Sequence, residues 1–163
     1  MKRALILPII LLILCLLGCT RTEYGILSYQ DKDIEAQCII NEKYKAKITK
    51  GNDSYTLSII EPSELATVKF EVYEGEAYAV AGYVRVPVEK KSLSGICALL
   101  NMFSLDEASL TTATEIENGA ELEFSNDYGS YKIVTSKNGT PKSCHISGNG
   151  YEYMVEIESI LLK

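Results

Sequence analysis

Cys19 is the residue whose surroundings point most directly to chemistry. It follows Leu16-Leu17-Gly18 at the end of an apolar run that opens with Lys2 and Arg3. A basic start, an apolar stretch from Ala4 to Leu17 and a small residue before cysteine are what bacterial export and lipidation require. Cleavage before Cys19 makes it the new N-terminus and leaves its sulfur carrying a diacylglyceryl group. That covalent lipid is the one prosthetic group expected; no cofactor is. A transmembrane anchor is the competing reading, but the run is shorter than the roughly 20 residues a spanning helix needs. Residues 1–18 are therefore read as a lipoprotein signal peptide and 19–33 as a lipidated tether. The expected location is the extracytoplasmic face of the cell membrane.

The other reactive side chains form no such pattern. Of five cysteines, Cys15 leaves with the signal, and Cys38, Cys97 and Cys144 remain among apolar neighbours. Three buried, reduced thiols are favoured because a free cysteine packs as a small hydrophobe. One intramolecular disulfide with a thiol left over, or an intermolecular bridge, is the alternative an extracytoplasmic compartment allows. The single histidine, His145, follows Cys144. Adjacent strand residues point to opposite faces, which argues against a Cys-His nucleophile pair. One histidine and dispersed cysteines give no metal-ligand spacing. There is no nucleophile elbow and no phosphate-cradling glycine loop, and no carboxylate pair stands out for glycoside hydrolysis. The chain is read as non-catalytic.

Without residues 1–18, 145 of the 163 residues remain, the size of one domain. Fourteen basic residues then face 22 acidic ones, a net charge of −8. Nucleic acid and an anionic membrane face are poor electrostatic partners for such a chain. Membrane attachment must come from the lipid.

From Ile34 onward, the elements that would position any site are strands. Ile34, Ala36, Cys38, Ile40, Tyr44, Ala46 and Ile48 share one parity, and polar residues hold most of the other, as in a sheet with one apolar and one wet face. A three-residue connection at Asn41-Glu42-Lys43 keeps apolar opposite apolar. Tyr55, Leu57 and Ile59 form a third strand, and Val68, Phe70 and Val72 a fourth. A fifth is expected from Tyr78 through Val88, bent at Gly82, with Tyr78, Val80, Val84, Val86 and Val88 on one face. Ser92 to Leu105 carries no charge and is read as a buried helix capped by Ser92, with a second short helix from Leu105. Together they make a helical insert at about residues 92–110. Strands resume from Ala120 to the closing run at Tyr151–Ile157. Eleven tyrosines raise carbohydrate binding, but Tyr44, Tyr55 and Tyr78 have core parity and read as lining. Residues 34–163 thus form a single α+β domain, mainly antiparallel β, in which a curved meander is covered by a short helical insert. That arrangement builds either a dry core or a lidded hydrophobic pocket.

The order of these elements resembles the LolA/LolB-like lipoprotein-carrier superfamily over Ile34 to Ile157. The most telling stretch is Ile60-Glu61-Pro62-Ser63-Glu64-Leu65-Ala66-Thr67-Val68-Lys69-Phe70, similar to that group's strand, Pro-x-x-Leu turn and strand. The resemblance implies an incomplete, half-open β-barrel whose concave apolar face is covered by helices and binds acyl chains or other lipid. By that resemblance Ile40, Tyr44, Leu57, Phe70, Val80, Leu100 and Phe103 would line the concave face or its lid. The long first helix of many members has little counterpart here. A similar fold also serves a germination lipoprotein of spore formers, and that likeness implies the alternative: a non-catalytic envelope protein regulating a partner such as a cell-wall hydrolase.

Overall fold

The computed structural model describes Tyr29 and residues 32–163. Cys19, the signal peptide and most of the tether lie outside the described residues. The fold is one antiparallel sheet of 11 strands in the order β6-β5-β4-β3-β2-β1-β11-β10-β9-β8-β7. These are β1 (Ile34–Ile40), β2 (Tyr44–Lys50), β3 (Ser54–Glu61), β4 (Val68–Tyr73), β5 (Glu76–Ala81), β6 (Val84–Val88), β7 (Leu110–Ile116), β8 (Gly119–Asn126), β9 (Gly129–Ser136), β10 (Pro141–Gly148) and β11 (Tyr151–Leu162). The first and last strands pair at the centre, from Ile34·Leu162 to Ile40·Val155, with a bulge after Gln37. The sheet is curved and open, with β6 and β7 as its two edges.

That order fixes the path of the insert. The chain leaves the sheet at one edge and re-enters at the other, so residues 89–109 must cross a face. The crossing contains a 3-10 turn at Lys90–Leu93, helix α1 (Ser94–Asn101) and a 3-10 turn at Glu107–Ser109. No charged side chain interrupts Ser92 to Leu105, so the segment can lie on an apolar face at no electrostatic cost.

The β1–β2 hairpin has the three-residue connection and the pairs Ile40·Tyr44, Cys38·Ala46 and Ala36·Ile48. The left-handed backbone this loop needs is found at Asn41 and Glu42. The expected fifth strand is instead two. Ala81 pairs with Val84 across a two-residue turn at Gly82-Tyr83, and such a turn inverts parity between its strands. Tyr78 and Val80 therefore face away from Val84, Val86 and Val88. Two helix boundaries also shift. Leu93, not Ser92, precedes α1, and no side chain caps it. The second helix is a single turn capped by Asp106, whose Oδ1 accepts from the Ser109 N–H at 2.9 Å. Strand β7, from Leu110 to Ile116, is almost wholly exposed and has no apolar alternation to mark it in the sequence.

The core lies between the central strands and the insert. Ile34, Ala36, Cys38, Ala46, Ile48, Leu122, Ile133, Cys144, Ile146 and Val155 are buried on the sheet, and Ala98, Leu99, Leu100, Met102 and Phe103 from the crossing segment cover them. Tyr29 joins this core, edge-on to the Phe103 ring at 6.4 Å. The outer face carries ion pairs such as Lys47–Glu35 at 2.6 Å and Lys132–Glu121 at 2.8 Å.

Candidate functional site

Cross-strand register shows which residues share the inner face, the one α1 covers. Tyr55 stands beside Val72, Leu57 beside Phe70, Val72 beside Ala77, and Phe70 beside Ala79. Ala79 in turn stands beside Val86, and Ala81 beside Val84. An apolar track therefore runs from the covered centre to the β6 edge. Its far end is open: Val84 is 62% and Val86 50% exposed, although their side chains belong to the face that is buried core three strands away.

The residues expected on this face divide accordingly. Ile40, Leu57, Leu100 and Phe103 are buried in the core. Tyr44 and Phe70 are half-buried against it. Val80 is on the other side, opposite Lys69 and Arg85, because the two-residue turn at Glu74-Gly75 pairs Tyr73 with Glu76 and so sets Ala77 and Ala79 beside Val72 and Phe70 on the inner face. Tyr78 shares that outer face and lies under the Arg85 guanidinium at 3.6 Å. Val84 and Val86, which supply the exposed apolar surface, could have been recognised from the turn chemistry at Gly82.

Two hollows meet at Tyr55. One, of about 420 Å³, is polar, and its walls include Lys32, Asp33, Lys50, Asn52, Ser104 and Asp106. The other, of about 50 Å³, is a crevice under α1 lined by Val72, Cys97 and Leu100, with Asn101 and Tyr128. Tyr55 lines both, and its hydroxyl accepts from Ser104 Oγ at 3.0 Å. Lys50 ends the inner face of β2. It is only 8% exposed, and its Nζ donates to the Phe103 carbonyl at 3.2 Å just past the C-terminus of α1, where a cation is favoured. Its position on the apolar parity of β2 was the signal in the sequence for a buried, anchored charge.

The nucleophile candidates are placed for packing. Burial pushes the Cys38 thiol up to about 12, with the Glu158 charge a smaller cause. Burial alone drives Cys144 well above the usual thiol range, and Cys97 is raised for the same chief reason. All three are free thiols, and a thiol held protonated is a poor nucleophile. His145 faces out, its Nε2 2.8 Å from Glu152 Oε1, and so does not share a face with Cys144. No cluster of potential metal ligands occurs among the described residues, and none of their helices is long and apolar enough to cross a membrane.

No family model matches the sequence, and no curated protein matches it. Similar solved structures do exist. An uncharacterized conserved protein from Thermus thermophilus aligns over 85% of this chain and 83% of its own, with 9% identity and a TM-score of 0.50. A LolA superfamily protein from Nitrosomonas europaea aligns over 86% and 90%, with 10% identity and a TM-score of 0.42. At such identities the Thermus likeness concerns the fold alone.

Proposed function

We propose that this chain is a bacterial envelope lipoprotein, anchored through a diacylglyceryl group on Cys19, that binds a hydrophobic ligand on the uncovered part of its inner sheet face. One observation carries the reading: the apolar track from Val72 and Phe70 to Val86 and Val84 continues the core but is left open by the insert. An exposed apolar face contiguous with a core is a common mark of a binding surface. The likeness of Ile60–Phe70 to the lipoprotein-carrier group supports the same ligand class. A non-catalytic role in which an envelope protein docks on this face is the other reading.

Native mass spectrometry of the protein from a bacterial host, followed by solvent extraction, tests the proposal. Bound lipid is expected, and it should be lost in the double variant Val84→Asp, Val86→Asp. Both positions are exposed, so thermal stability should change little. A lipid-free protein that also ignores added phospholipid and fatty acid would sink the ligand reading and favour the protein partner. Metabolic labelling with palmitate, abolished in Cys19→Ala, tests the anchor.

A further inference from the structure

We propose that the polar hollow beside Tyr55 holds a zwitterionic headgroup of the phosphoethanolamine type, and that the apolar track holds the single acyl chain attached to it. The proposal rests on the hydrophobic-ligand reading and adds the chemical class of the ligand. Polarity along the inner face is sorted. The polar hollow of about 420 Å³ lies on the β2 side of Tyr55, and the crevice beside Val72 and Leu100 on the other. Val72, a wall of the crevice, is the cross-strand neighbour of Tyr55 and of Ala77. A molecule with its polar end in the hollow would lay its tail past Val72 onto Phe70 and Val86.

The charges of the hollow select the head. Among the described residues its walls carry both signs, Lys32 and Lys50 as cations and Asp33 and Asp106 as anions. A bare carboxylate would meet two like charges, and a bare ammonium would do the same. A head carrying phosphate and ammonium together can pair with both signs, and ionic hydrogen bonds of that kind are the strong ones. Lys50 is fixed in place by the Phe103 carbonyl, and Asp106 by the Ser109 N–H, so part of the ordering cost is met before binding.

The test offers the full-length protein, in phosphatidylglycerol vesicles, a monoacyl phosphatidylethanolamine with a photoreactive group in its chain. A fatty acid of the same length carrying the same group is offered in parallel. Saturable labelling of β4 and β6 by the phosphatidylethanolamine is expected, with the fatty acid binding about tenfold more weakly. The variant Asn52→Trp, at an exposed turn residue lining the hollow, should remove the preference by filling the site. Lys32→Met should weaken the phosphatidylethanolamine alone. Equal labelling by both probes, or a preference unchanged by Asn52→Trp, would overturn the headgroup site while leaving the hydrophobic-ligand reading standing. No labelling of the track by either probe would overturn both.

Discussion

Cys38 and Lys50 show how burial on one sheet face sets the behaviour of individual groups. The Cys38 thiol is raised from an ordinary value of 9.0 to about 12, so the folded protein keeps a proton that the unfolded chain releases above about pH 9. The unfolded state then binds fewer protons, and stability falls as pH rises through that window, by up to about 1.4 kcal/mol per unit for this group. Chemical denaturation from pH 8 to 11 should show that decline, and Cys38→Ala should flatten it; an unchanged slope would mean that other groups, such as buried Tyr29, carry it. Lys50 ties β2 to the insert through the Phe103 carbonyl. Lys50→Met should lower stability by about 1–3 kcal/mol, because a buried carbonyl loses its charged donor. A melt matching the unaltered protein would show that water replaces the bond. The burial of Cys38 was legible in residue type and strand parity, whereas the bond from Lys50 to the Phe103 carbonyl, 53 positions away, was not.

Among the elements, hairpin turns decide which side chains reach the inner face. The turn at Gly82-Tyr83 hides a strand break inside a run of apolar residues, and its inverted parity brings Val84 and Val86 inward, while the Glu74-Gly75 turn has already placed Val80 outward. Alternation alone cannot reveal this, because a bent strand and two hairpin strands keep the same count along the chain. The β7–β8 hairpin depends on another glycine. Gly119 adopts φ of +155°, and a Cβ there would fall 1.8 Å from the Thr135 carbonyl oxygen on the neighbouring strand. Gly119→Ala should therefore destabilise by at least about 2 kcal/mol, measurable by urea denaturation. A smaller loss would mean that the start of β8 shifts away from the end of β9 at little cost.

At the scale of the whole fold, the open sheet leaves part of its inner face exposed and, among the described strands, ends in two edges. The β6 edge is guarded. Pairing with β5 runs unbroken from Ala81·Val84 to Ala77·Val88 through Pro87, which places the proline nitrogen, with no proton to donate, toward the free side. Pro87→Thr should restore that donor and raise self-association, read as a concentration-dependent shift in sedimentation; a monomeric variant would show that strand twist alone protects the edge. The sequence by itself determined most of the alternating strands, though not β7 or the break between β5 and β6, together with the register of the first hairpin, the apolar insert and the location of the three thiols, because periodicity and turn chemistry are local. The tertiary structure alone decided that β1 pairs with β11, that the insert must therefore cross from edge to edge, and that its single short helix covers the centre of the inner face but not the track at β6. Long-range pairing sets these features, and no spacing along the chain encodes how far across a curved sheet a short helix will reach.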